Sequence, residues 1–279
     1  MAGNTVALRG HALRLLLLVL LCALSLQLFF LARVALMVVV NPQSTSFQRS
    51  EVLRLATDKH QVAWAQQWVD NSQIAAHLKR AVITSEDAGF ADHSGVEWDA
   101  LEAAWDKNQR AEAAAGRRNA QIEARQKALE TRQTQRGTKP GAAPPAPAAP
   151  PKPAVVAKVV GGSTISQQLA KNLFLSGERT VLRKAQEFAL TFMLEGLLSK
   201  QRILEIYLNN VEWGEGLFGA QAAARHYFRV DASQLAAGQA ARLAVMLPAP
   251  KRFEKNPGSA YVSGRAGTIV SRMGGVELP

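Results

Sequence analysis

Eighteen consecutive residues without a charge, Leu15 to Ala32, stand between Arg14 and Arg33 near the start of the chain. As a helix they rise about 27 Å at ~1.5 Å per residue, close to the hydrocarbon thickness of a bilayer. The apolar character resumes from Val34 to Val40, so the span is drawn as residues 15–40, with room to slide or tilt. A cleavable signal peptide is the competing reading. It needs a shorter apolar core and a small-x-small site, whereas Phe29-Phe30-Leu31 stands where cleavage would fall. A retained single-pass anchor is therefore expected. Arg9, His11 and Arg14 precede it, and Arg33, Arg49 and Arg54 follow. The short basic N-terminus, 1–14, is placed inside and the long remainder outside.

The 279 residues are nearly half apolar, enough for one substantial domain with accessories. A net charge of +11 raises the question of nucleic acid. Yet between Lys107 and Lys158 there are eleven Lys and Arg against three Glu, so most of the excess lies in one low-complexity stretch. A nucleic-acid module would interleave its charges with aromatics in a compact fold, and no nucleic-acid partner is expected. Cys22 is the only cysteine, which excludes a disulfide framework or Cys-rich metal site within one chain.

Beyond the anchor, Gln61 to Val69, with Trp64 and Trp68 four apart, could form an amphipathic turn pair, but two core tryptophans is the better reading. The domain is drawn as 41–106 and 156–279, split by an insertion at 107–155. Residues 107–136 are rich in Ala, Arg, Gln and Glu with few large apolar side chains, so a helix there would be solvated. Residues 140–153 are almost all Pro and Ala, a semi-rigid linker. The insertion is expected to be disordered or a solvated helix, near anionic lipid headgroups. From Gly161 the chain reads as successive helices. Thr164 opens one through a capping box to about Phe174, and Thr180 caps another to about Lys200. Others are expected over Gln201–Asn209, Leu217–Phe228 and Ser233–Leu247, the last stopped by Pro248. With no convincing alternating strands, the fold class is mostly α.

Three segments carry chemistry. Glu86 and Asp87 follow the apolar run AVIT and lead into Phe90, His93 and Gly95. Glu86 would leave the end of a buried helix, where partial desolvation raises a carboxyl towards useful base strength. A lone His93 is more often a structural hydrogen-bonder than a catalyst. In the stretch from Gly161 to Asn172, two glycines let backbone approach a ligand, and the helix start offers unpaired N–H groups to an anion. Gln167, Gln168, Lys171 and Asn172 are unusually polar for an otherwise apolar helix. From Thr180 to Lys200, Arg183, Glu187, Thr191 and Glu195 recur every four residues along one stripe; this is either a surface ion-pair ladder or the wall of a cleft. Two carboxylates, a helix-start anion site and several cations suit transfer of a sugar from a phosphate leaving group beside a membrane.

Together, Glu86-Asp87-x-x-Phe90-x-x-His93-x-Gly95, Gly162-Ser-Thr-Ile-Ser-Gln-Gln-Leu-Ala-Lys-Asn172 and Arg183-Lys184-x-x-Glu187 resemble the glycosyltransferase domain of penicillin-binding proteins. Ile203 to Asn209 and Leu247-Pro-Ala-Pro250 resemble its later motifs, in the same order. About thirty residues follow Pro250 and no Ser-x-x-Lys signature is present, so the monofunctional branch is expected. The resemblance implies a lysozyme-like, mostly α domain in the bacterial inner membrane, facing the periplasm. It implies lipid II and a lipid-linked glycan chain as substrates, with other wall-synthesis proteins as candidate partners. Catalytic roles fall by resemblance on Glu86, as general base, and on Glu187. Ser163, Lys171, Arg183 and Lys184 would face the donor pyrophosphate. Asp87, Phe90, His93, Thr164, Gln167, Gln168 and Asn172 would complete the substrate-binding set. No cofactor is required; magnesium or manganese would be an optional aid, and no dedicated metal cluster is expected. Gly89 stands where many relatives carry Arg or Lys, which removes one phosphate contact. A glycan-cleaving, lysozyme-like enzyme and a non-catalytic wall-synthesis scaffold are the alternatives.

Overall fold

The computed structural model describes residues 2–137, 154–155, 161–178 and 180–279, with side chains from residue 10 onward except 130 and 132–137. It divides into two compact units, Met1–Val96 with Ser163–Pro279, and Glu97–Gly162.

The larger unit begins with helix α1, Ala2–Leu36. Its Gly10–Leu36 portion, 27 residues, is long and apolar enough to cross a membrane, and most of its leucines are exposed. Only the C-terminal end packs on protein. Val34 and Met37 join the hydrophobic core, and Phe30 meets Phe174 edge-on at 5.4 Å. Gln27 and Gln186 exchange amide hydrogen bonds of 2.7 and 3.1 Å. An amide in an apolar helix needs such a partner, because hydrocarbon offers none. Arg202 then grips the end of the segment, donating to Met37 O at 2.9 Å and to Asn41 Oδ1 at 2.7 Å.

Helix α2, Ser46–Asp58, follows a capping box between Thr45 and Gln48. Helix α3, Ala76–Glu86, buries Leu78, Ala81, Val82 and Ile83. Past the second unit, which holds α4, come α5, Ile165–Phe174, α6, Val181–Leu197, and α7, Lys200–Asn210. Helix α7 is central from its first turn onward: Ile203, Leu204 and all of Ile206 to Asn210 are buried. Helices α8, Ala220–Phe228, α9, Ala237–Met246, α10, Pro250–Phe253, and α11, Ala260–Met273, complete the unit. Helix α3 packs on α9 and α11, α2 lies against α5, and α5 lies against both α6 and α7.

The mostly α expectation holds, with local corrections. A small sheet joins β1, Ala65–Gln66, β2, Glu212–Gly214, and β3, Leu217–Phe218, in the order β1-β3-β2. Ala65 pairs in parallel with Leu217, and Glu212 pairs antiparallel with Phe218. Of the two tryptophans read as core over Gln61–Val69, Trp68 packs partly buried against the core, whereas Trp64 lies on Phe218 at 4.8 Å and stays 40% exposed, with no helical turn between them. The helix read from Leu217 starts at Ala220, because Leu217 and Phe218 are spent on the sheet. Gly219 turns between them at φ +82°, where an added Cβ would lie 2.7 Å from Asn209 O. The helix read to Lys200 ends at Leu197, and Ser199 caps α7 instead. The helix read from Ser233 starts at Ala237, preceded by a 3₁₀ turn at Ala232–Gln234.

The second unit is built on α4, Trp98–Gly137. Ala, Arg, Gln and Glu are strong helix formers, so the composition change at Lys107 does not end the helix. Among the described side chains over 107–131 most are exposed, as in a solvated helix. The paired bonds between Asn119 and the Val155 backbone, 2.8 and 3.1 Å, tie the returning chain to the helix. The Pro/Ala-rich stretch 140–153 lies outside the described residues.

Candidate active site

Glu86 is the last residue of α3, and Asp87 is its C-cap. The two adjacent carboxyls turn to different tasks. Asp87 is buried, and its oxygens accept from the Ile165 N–H at 2.9 Å and pair with His93 Nε2 at 2.8 Å. His93 Nδ1 accepts the Gly95 N–H at 3.0 Å, so the proton resides on Nε2 and points at Asp87. Gly95 takes φ +90°, and an added Cβ would meet Thr191 Cγ2 at 2.7 Å. Its carbonyl accepts from Thr164 Oγ1 at 2.6 Å. Thr164 and Gln167 then close the capping box that starts α5. Phe90 is fully buried under the Lys200 ammonium, 4.6 Å from the ring centroid.

Asp87, Phe90, Thr164 and Gln167 are therefore enclosed, and His93 is committed to Asp87 and Gly95. They fix the end of α3 against the start of α5. The anion site expected at that helix start is correspondingly occupied in part, since the Ile165 N–H already serves Asp87.

Glu86 remains only partly enclosed. Gln168 Nε2 donates to its Oε2 at 3.0 Å, and Tyr207 OH donates to Gln168 Oε1 at 2.9 Å. The tyrosine thereby sets which end of the amide faces Glu86. Burial pushes the Glu86 carboxyl up from its ordinary range, while the Gln168 hydrogen bond opposes the rise. The Tyr207 hydroxyl, itself held well above its usual range by burial, stays protonated as a donor. Tyr207 belongs to a motif the sequence flagged, but its place behind Gln168 could not be read there.

Gln168, Lys171, Asn172 and Arg183 line a cleft of about 540 Å³, together with Phe47, Glu212 and Pro248. Arg183 donates to Glu187 at 2.8 Å, and Lys184 pairs with the same carboxylate. Glu187 is buried, and such a carboxylate requires partners of this kind. The stripe on α6 is thus the wall of a cleft at Arg183. Further along it, Glu195 binds Lys200 at 2.9 Å and Ser166. Lys171 makes no hydrogen bond or ion pair among the described residues. Desolvation lowers its ammonium from the ordinary lysine range, while Glu187 opposes that effect. Ser163 sits half-buried just before the Thr164 cap. Glu212 was not singled out by the sequence, because a glutamate in Val-Glu-Trp carries no local sign of where it points.

The arrangement places a raised, amide-held carboxyl on one side of Gln168 and a cation-bearing cleft on the other. The transglycosylase family model matches residues 54–117 and 154–274. The chain is similar to the biosynthetic peptidoglycan transglycosylase of Burkholderia lata, 46% identical over 92% of this chain and 86% of that protein. The same-named protein of Burkholderia pseudomallei is 46% identical, covering 92% and 83%. That of Paraburkholderia phytofirmans is 43% identical, covering 92% and 88%.

Proposed function

This chain belongs to the transglycosylase family and polymerises the glycan chains of peptidoglycan, and from that premise we propose how its residues do so. The acceptor is lipid II and the donor is the lipid-linked growing chain. Glu86 takes the proton of the acceptor's 4-hydroxyl as that oxygen bonds to the donor's anomeric carbon. The bond from that carbon to undecaprenyl pyrophosphate breaks with inversion, and its electron pair leaves on the pyrophosphate. An alcohol is a poor nucleophile until a base of suitable strength removes its proton. The raised, partly accessible carboxyl of Glu86, held at 3.0 Å by Gln168, is the observation that carries this assignment.

The leaving pyrophosphate needs positive charge where negative charge develops. Lys171 and Arg183, both in the cleft wall, supply it. Glu187 acts by holding Arg183 and Lys184, Asn172 and Gln168 shape the cleft, and Ser163 stands at its helix-start end. Asp87, Phe90, His93, Thr164 and Gln167 position Glu86 without touching substrate. Among the described residues no group of three or more His, Cys, Asp or Glu is placed to hold a metal ion. Glu187 is already neutralised by two cations. The steps use this chain's own residues and run through no metal ion.

The helix at Gly10–Leu36 is compatible with a single-pass anchor, and we place it in the inner membrane with the larger unit on the periplasmic side. The test is incubation of the purified full chain in detergent with labelled lipid II. Long polymer together with released undecaprenyl pyrophosphate is expected. Cleavage of preformed glycan without use of lipid II would overturn the reaction.

A further inference from the structure

Glu212 lies in the wall of the cleft that carries Lys171 and Arg183, yet the reaction as described makes no use of it. The residue opens β2 directly after α7 and is only 6% exposed. Its backbone is held rigidly, since β2 pairs with β3 and Tyr227 OH donates to the carbonyl of neighbouring Trp213 at 2.8 Å. The Trp213 indole in turn donates to Leu243 O at 3.1 Å. A carboxyl on so fixed a frame is pre-organised.

Its bonding is incomplete. Oε1 is enclosed and has no hydrogen-bond partner among the described residues. The nearest cation is Lys251, at 3.5 Å, but that ammonium is committed to Glu51 at 2.5 Å. Arg54 binds the same carboxylate, also at 2.5 Å. The charge that would stabilise an ionised Glu212 is thus largely spent elsewhere. Buried polar groups are almost always bonded, and an unbonded one in a cleft is explained most directly by a ligand that completes it.

The cleft indicates which ligand. Phe47, Leu175, Leu247 and Pro248 offer apolar surface, and Gln168 and Asn172 offer planar amides. Apolar faces with a few converging hydrogen-bonding groups suit a sugar ring better than a second phosphate. We propose that Glu212 is a recognition residue of the cleft, binding an uncharged hydroxyl or acetamido group of the lipid-linked glycan whose phosphates Lys171 and Arg183 hold. This rests on the reading of the cleft as the glycan site.

The carboxyl's chemistry is consistent with that role. Burial pushes it up to about 7, with Lys251 opposing and Glu51 and Glu254 adding to the rise. The remaining charges of the cleft, Lys171, Arg183 and Glu178, complete its electrostatic surroundings. The protonated form can donate as well as accept, and it does not repel a neighbouring pyrophosphate. Binding should therefore weaken as pH rises through neutrality and the proton is lost.

The experiment measures binding of a fluorescent lipid-linked glycan oligomer, which carries the donor's pyrophosphate, to the full chain in detergent, across neutral pH. It compares Glu212, Glu212→Gln and Glu212→Ala in a Glu86→Gln background that suppresses turnover. Glu212→Ala is expected to weaken binding about threefold to tenfold at low pH, as for loss of one neutral hydrogen bond. Glu212→Gln should retain the affinity and lose the weakening at high pH. Thermal unfolding of the same samples separates a packing defect. Affinity unchanged by Glu212→Ala, or a pH dependence that persists in Glu212→Gln, would overturn the inference. Polymerisation by the chain with Glu86 intact, followed separately, tests the reaction; its failure alone would leave the Glu212 result standing.

Discussion

Replacing Gln168 with methionine should change activity by an amount that depends on pH. The substitution keeps side-chain length but removes the donor that reaches Glu86 at 3.0 Å and the acceptor for Tyr207 at 2.9 Å. A hydrogen bond to a charged group contributes about 1.5–3 kcal/mol, and each ~1.4 kcal/mol is a factor of ten. Burial already raises the Glu86 carboxyl, and Gln168 holds that rise in check. Without Gln168 the carboxyl rises further and the base is ionised in fewer molecules on the acid side. There kcat/KM should fall about tenfold to hundredfold, and the loss should vanish once the pH exceeds both carboxyl values. The assay is the initial rate of lipid II polymerisation by wild type and Gln168→Met, from acid to mildly alkaline pH. Any loss uniform across pH reports contact between Gln168 and substrate. A loss with no pH-dependent component would refute the claim that Gln168 tunes Glu86. Stability gives an internal control: Tyr207 OH loses its acceptor, at a cost of ~1–3 kcal/mol, and adding Tyr207→Phe should restore most of it.

Gly95→Ala should lower stability by about 1–3 kcal/mol, because φ +90° is strained for a side chain and Thr191 and Glu195 crowd the new Cβ; a melting temperature within a degree of wild type would contradict this. Asp87→Ala leaves both the Ile165 N–H and His93 without their acceptor, so stability and activity should fall together by ~2 kcal/mol or more, read by thermal unfolding and polymerisation of the same samples. In the anchor, Gln27→Leu strands the amide of Gln186. The double variant Gln27→Leu/Gln186→Leu should unfold in detergent at a higher temperature than either single one, with a coupling of about 0.5–1.5 kcal/mol. Strict additivity would mean the pair does not hold α1 to α6.

Local chemistry made much of the framework legible. The Thr164–Gln167 cap and the end of its helix at Phe174 follow from residues four or fewer apart, as does the Thr180 cap. Leu217 and Phe218 were misread because an apolar pair fits a helix start or a strand equally. What decides is β1, about 150 residues earlier in sequence, and Gly219, whose conformation only the fold imposes. The site divides the same way. Glu86, Lys171, Arg183 and Glu187 are named by the family resemblance of the motifs they stand in. That Asp87 and His93 turn inward, or that Tyr207 stands behind Gln168, depends on contacts between α3, α5 and α7. Glu212 was hidden for a similar reason: its unbonded state arises because Glu51, on α2, competes with it for the one ammonium of Lys251, on α10.

The central claim is that Glu86 is the base for glycan-chain polymerisation. Its most direct measurement is the rate of lipid II polymerisation by the full chain in detergent, for wild type and Glu86→Gln. Glutamine preserves size and can keep a hydrogen bond to Gln168, but it accepts no proton. The rate should fall about 10²–10⁴-fold, with lipid II binding and the melting temperature little changed. A folded Glu86→Gln chain that polymerises within a few-fold of wild type would contradict the account.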